Sequence, residues 1–288
     1  MKIPVIRGII DRRILVNFKV DAGVLARFLP APFRPKLING AGMAGVCLIR
    51  LKHIRPRFLP SFLGISSENA AHRIAVEWDQ GGQTKEGVFI PRRDTSSRLN
   101  TLLGGRLFPG VHHLATFQVH EANDHYRVCL DSLDRHTHLV VEGRIAQELP
   151  QTSVFGSVKE ASDFFEKGSL GYSVTPEAGK YDGLDLRSFN WQVQPLTLEK
   201  VESSFFENTA LFPTGSVEFD CALLMRGIEH EWHGRESLCV GCFPNQPIIA
   251  SSTSCPQPSV VDLGGVEAGS IPSIPCSPPL SDVPVLPR

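Results

Sequence analysis

GGRLFPGVHHLATF, residues 104–117, joins a Gly/Pro-rich bend to an alternating apolar run, with two adjacent histidines, His112 and His113, at the junction. The run HLATFQVH (113–120) alternates apolar and polar side chains, so a strand is expected to begin there. Neighbouring residues on a strand point to opposite faces. One imidazole at most can therefore face any given cavity, and the other is left for the sheet's packing or for solvent.

Working outward, period-two patterns recur in RILVNFKV (13–20), RIAVEWD (73–79), EGVFIP (86–91) and THLVVEGRI (137–145). QGGQT carries a glycine pair between two of them and predicts a hairpin. Helices are expected to be few and short. DAGVLARFLP has Asp21 as N-cap, Val24, Leu25, Phe28 and Leu29 on one face and Pro30 as stop. TSSRLNTLLGG has Thr95 or Ser96 as cap, Leu99, Leu102 and Leu103 as a buried stripe and Gly104 as terminator. SVKEASDFFEKGS (157–169) ends at Gly168. Many strands, few helices and no βαβ rhythm predict an α+β, mainly β chain whose sheet closes or half closes into a barrel.

Composition narrows the function classes. The 288 residues include 42% hydrophobic and 20% charged side chains, with a formal net charge of -1, so no basic footprint for nucleic acid or for a membrane surface is present. No window has the apolar length of a membrane span or of a signal peptide. Seven cysteines, an odd number scattered at positions 47, 129, 221, 239, 242, 255 and 276, favour a reducing compartment, and a cytoplasmic location is expected. Composition changes near residue 245: residues 1–245 are expected to form one folded domain and 246–288, rich in Pro and Ser, a disordered tail.

No phosphate-binding glycine loop, dinucleotide fingerprint, HExxH or GxSxG motif occurs. What the chain does carry is an order of pieces: VDAGVLARFLP (20–30), a strand, short helix and proline, then a hairpin spanning Glu68 to Pro91, a short helix, and LLGGRLFPGVHHLA (102–115). In that order and with those residues the chain resembles the acetoacetate decarboxylase-like superfamily, and within it DUF2071, the YqjF-like group of uncharacterised proteins, over roughly residues 8–240. The resemblance implies a conical or closed β-barrel with a few short helices, a small organic anion as ligand, no cofactor, and homo-oligomers. In the decarboxylase, the segment similar to LLGGRLFPGVHHLA carries paired lysines, one forming a Schiff base while its cationic neighbour lowers the nucleophile's pKa. Those positions fall here, with one residue fewer in the loop, on His112 and His113, and neither can form an iminium.

By the same resemblance Glu68 matches a pocket glutamate, Glu86 a second one, and Arg12 or Arg13 a substrate-side arginine. Arg92 and Arg98 add positive charge near the histidines, whereas Arg93 is read as solvated hairpin charge. An imidazole titrating near neutrality beside a glutamate and arginines suits a small carboxylate. The expected function is ligand binding without Schiff-base decarboxylation, with His112 and Glu68 as candidate catalytic groups. Two alternatives stand beside it: acid-base lyase, hydratase or isomerase chemistry on a keto or enol acid, and a non-catalytic scaffold.

A second cluster, HEWHGRESLCVGC, holds His230, His233, Cys239 and Cys242. Two histidines and CxxC are zinc-ligand types. Residues 230 and 233 on a strand would face opposite ways, however, and the expectation is no metal.

Overall fold

The computed structural model describes residues 4–104 and 109–239. The Pro/Ser-rich segment 246–288 and Cys242 lie outside them. Thirteen strands and three α-helices follow in the order β1 (Ile6–Val20), α1 (Ala22–Phe28), β2 (Arg34–Pro35), β3 (Leu37–Ile38), β4 (Ala41–Pro56), β5 (Ile65–Gln80), β6 (Gln83–Thr95), α2 (Arg98–Leu103), β7 (His113–Ala122), β8 (His125–Ser132), β9 (His138–Ile145), α3 (Val158–Lys167), β10 (Leu170–Val174), β11 (Lys180–Ser188), β12 (Gln194–Ser203) and β13 (Val217–Cys239). All strands belong to one sheet, which rings round because β5 also pairs with β6 and β11 also pairs with β13. The long strands β13, β1, β4 and β5 form its spine. The mainly β, α+β expectation and the sheet's curling back on itself are both met.

The local reasons are those read from the sequence, with two corrections. Asp21 caps α1 through the Val24 amide, Ser157 caps α3 through that of Glu160, and the Gly81–Gly82 pair turns β5 into β6 with both residues at positive φ. The cap of α2, however, is Ser97, whose Oγ accepts from the Asn100 amide, and its Leu99 and Leu102 are exposed rather than buried. Six residues make under two turns, too short to present a full apolar stripe. β4, AGMAGVCLIRLKHIRP, has no period-two signal because both faces of its first half are buried; such strands read as continuous apolar runs.

The main core lies on one face of the spine strands, with Ile14, Val16, Leu48, Ile74, Trp78 and Leu224. Smaller clusters lie on the other: Leu15, Cys47, Phe165 and Leu223 in one, Ile10, Leu51, Ile54 and Ile228 in the next. Among the described residues no helix is long and apolar enough to cross a membrane.

Candidate functional site

A cavity of about 90 Å³ opens beside these smaller clusters. That exceeds several-fold the roughly 10–15 Å³ that one water needs, which leaves room for a small organic molecule. β4 and β5 supply an apolar wall, from Cys47, Ile49 and Leu51 to Ala71, and Trp232 of β13 adds another. The polar lining comes from Ser67, Asn69, Arg93, Asp94, Asn100 and His112.

His112 is positioned by the bend that precedes β7. Its Nδ1 donates to the Gly110 carbonyl at 3.0 Å, so in the neutral ring Nε2 carries the lone pair. Two glycines make this fit. Gly110 has φ +81°, and a Cβ there would meet Ser173 Cβ at 2.5 Å; a Cβ on Gly104 would lie 2.6 Å from His112 Nδ1. Burial, reinforced by the positive charge of Arg93, pushes His112 down to about 4. The ring is therefore neutral at physiological pH, and the expectation of titration near neutrality is corrected: the bend and the apolar wall desolvate it too strongly.

Arg93 overturns its reading as solvated charge. Its Nε donates to Ser173 Oγ of β10 at 3.0 Å, it lines the cavity, and burial lowers it to about 10, which leaves it protonated at pH 7. Its terminal nitrogens have no hydrogen bond or ion pair among the described residues. The parallel pairing of β10 with β6 places Ser173 beside this arginine. That contact is long-range, and no local pattern signals it.

The other expected residues lie elsewhere. His113 turns away from His112 and pairs with Asp134 at 3.0 Å, next to Arg92, which bridges Asp94 at 2.7 Å and Asp134 at 2.9 Å. Arg92 is thus committed to carboxylates. Arg98 is exposed at the start of α2. Glu86 pairs with Lys36 at 2.5 Å on the hairpin. Glu68 and Arg12 do meet, Oε2 to Nη2 at 2.6 Å, but they do not line the cavity. They form a network with Arg50 and Glu121, in which Arg12 is wholly buried and reaches Glu121 at 2.6 Å, while Arg50 reaches Glu68 at 2.5 Å and Glu121 at 3.0 Å. Alternation explains the split between the two candidate arginines: Arg12 points into this network, while Arg13 points to the cavity side of β1, where its Nε donates to Cys47 Sγ at 3.1 Å.

The second histidine cluster does not gather. His230 is buried against Trp232, ring centroids 4.5 Å apart, whereas His233 contacts Glu231 at 3.0 Å. Among the described residues the His230, His233 and Cys239 ligand atoms form no group of three; His125, Glu142 and Glu199 do, and two of their carboxylate oxygens are held by Arg127 and Arg144.

The mainly β sheet that rings round has the acetoacetate decarboxylase-like fold. Solved structures of that kind match over most of their length. They include an acetoacetate decarboxylase-like enzyme from Sphingomonas wittichii RW1 (TM-score 0.51, 11% identity, 83% of this chain and 93% of that one). Another is acetoacetate decarboxylase from Legionella pneumophila (0.50, 13%, 80% and 86%). A third is the enduracididine biosynthesis enzyme MppR complexed with pyruvate (0.50, 12%, 82% and 90%). At these identities the likeness is one of fold. The chain belongs to the DUF2071 family, described as an uncharacterized conserved protein, whose model matches residues 10–226. No curated protein matches the chain.

Proposed function

We propose that the cavity binds a small carboxylate, of the keto-acid class, and does so without Schiff-base chemistry. The observation that carries this reading is the Arg93 guanidinium, protonated, lining the cavity and with no hydrogen bond or ion pair to its terminal nitrogens among the described residues. A carboxylate accepting two parallel N–H bonds is the partner such a fork suits. His112 presents a neutral ring whose Nε2 can accept a hydrogen bond or a proton from the same ligand. No cavity-lining residue described is a lysine, so the group needed for an iminium is missing from the lining. That a protein of the same fold has been obtained with pyruvate makes pyruvate the natural probe.

The tautomer held by Gly110 favours one second reading, acid-base turnover of a keto or enol acid with His112 as base and Arg93 as carboxylate anchor. Incubation with acetoacetate or pyruvate and sodium borohydride, followed by intact-mass measurement, separates these readings from the decarboxylase reaction. We expect no mass increment and no acetoacetate consumption; a reduced lysine adduct would overturn the proposal. A chain to which neither acid binds would instead fit the scaffold reading.

A further inference from the structure

We infer that the cavity selects a keto acid with a single carboxylate and an unbranched aliphatic tail, the carboxylate at Arg93 and the tail along Ile49 and Leu51. This deepens, and rests on, the carboxylate-binding reading of the same cavity. Strand register orders the lining. Ala71 of β5 pairs with Arg93 of β6 on one side and with Cys47 of β4 on the other. From there the wall runs along β4 and β5 through the pairs Ile49–Asn69, Leu51–Ser67 and Ile54–Ile65, all of which line the cavity. Arg93 therefore stands at one end, and the β4 side of the wall is aliphatic away from it.

A break in the ladder keeps that side aliphatic. Between Leu51 and Ile54, three steps of β4 oppose two of β5, a β-bulge in which His53 has φ +55°. Strict alternation from Leu51 would bring His53 to the cavity; the extra residue brings Ile54 instead and leaves His53 exposed. Gly8 of β1 makes room for it, since a Cβ there would collide with Ile54 Cδ1. Ile54 is buried in one apolar cluster with Leu51, against which Ile65 and Trp232 pack.

Polar groups along the same wall are already engaged within the protein. Asn69 donates to Ser67 Oγ at 2.9 Å and accepts from Thr95 at 2.8 Å, and Asp94 is held by Arg92 at 2.7 Å. With His112 neutral, Arg93 is the one cation among the described lining residues. A ligand thus meets one carboxylate anchor. A second carboxylate further along would lie against aliphatic side chains with no cation to pair it, a costly placement. At about 90 Å³ the cavity is smaller than the roughly 150 Å³ that holds a benzene ring, so the tail is a chain and not a ring.

The test is calorimetric titration of the full chain with pyruvate, 2-oxobutanoate, 2-oxopentanoate and 2-oxohexanoate, alongside 2-oxoglutarate and the neutral ketone 2-pentanone. Each added methylene is expected to tighten binding by about fourfold. 2-Oxoglutarate carries a carboxylate where 2-oxopentanoate has its terminal methyl, and should bind on the order of tenfold more weakly than that acid. 2-Pentanone, which lacks the carboxylate, should also bind on the order of tenfold more weakly. Ile49 is half-buried, so Ile49→Ala is expected to fold; it should shrink the ratio of 2-oxohexanoate to pyruvate affinity by about fivefold, and Ile49→Leu should retain it.

Equal affinity along the series, 2-oxoglutarate bound as tightly as 2-oxopentanoate, or a ratio unmoved by Ile49→Ala would overturn this inference and leave the carboxylate reading intact. Affinity that rises with chain length while 2-pentanone binds as tightly as 2-oxopentanoate would do the reverse. Failure of every compound to bind would remove both.

Discussion

Arg12→Ala is expected to lower stability by about 3 kcal/mol, the low end of the roughly 3–5 kcal/mol seen when one partner of a buried ion pair is removed. Arg12 is fully buried, and both of its terminal nitrogens are spent, on Glu68 and on Glu121, at 2.6 Å each. Its loss leaves two mostly buried carboxylates, 16% and 15% exposed, sharing the guanidinium of Arg50, with Arg226 reaching Glu121 only at 3.9 Å. That remaining partner is why the effect falls at the low end. In a domain of this size the change corresponds to a fall in Tm of roughly 6–12 °C, measurable by thermal denaturation. Arg12→Lys retains the charge but can address only one carboxylate well, and should lose less. An Arg12→Ala protein within about 1 kcal/mol of the parent would show that the network is dispensable. Pyruvate binding by that variant, measured where it is folded, should be preserved, because none of these four residues lines the cavity.

Acidification should weaken the fold early, between about pH 6.5 and 4. Burial pushes His72 down to about 3, with Arg92 adding to the effect, and burial pushes His230 down to about 4, partly offset by the Ile228 carbonyl. In the unfolded chain both return to 6.5, the ordinary value of an unperturbed imidazole. Below pH 6.5 the unfolded state therefore binds protons that the folded state refuses, so stability falls as pH falls, until the folded-state values are reached. At pH 5 each of the two contributes a loss of about 2 kcal/mol relative to pH 7, and His112, lowered to about 4, acts in the same direction. Asp134, lowered to about 2 with Ser132, the His136 amide and Arg92 as its partners, adds a separate loss at lower pH, as it is protonated below the ordinary 3.8. Denaturant unfolding at a series of pH values reads the slope. His72 is the cleaner test, since neither ring nitrogen has a hydrogen-bond partner among the described residues and the ring packs on Phe205 at 4.5 Å. His72→Leu should flatten the slope between pH 6.5 and 5 and cost little at pH 7; an unchanged slope would contradict this assignment.

Much of the fold is legible in the sequence because alternation and caps are local signals. β1, β7, β9 and the β5–β6 hairpin show period-two patterning, Asp21 announces α1 and Gly168 the end of α3. β4 is not legible in the same way, since burial on both faces erases the alternation. The site is less legible for a different reason. From the chain alone, Arg92 is read as a site charge and Arg93 as a solvated one; the pairing of β10 with β6 brings Ser173, 80 residues away, to Arg93, while Arg92 is taken up by carboxylates. Arg12 and Arg13 are likewise adjacent, and their fates depend on which face of β1 meets the cavity. Resemblance pointed to the bend at His112, which lines the cavity, and grouped Glu68 with that bend, whereas Glu68 lies in an ion-pair network.

The most direct test of the account is calorimetric titration of pyruvate into the parent protein and into Arg93→Gln at neutral pH, with Arg93→Lys as the variant that keeps the charge. A charge-assisted bidentate contact contributes about 1.5–3 kcal/mol, so the Gln variant is expected to bind roughly 10- to 150-fold more weakly, with the Lys variant in between. Equal affinity in all three proteins, or no saturable binding to the parent, would contradict the assignment of the cavity as a carboxylate site.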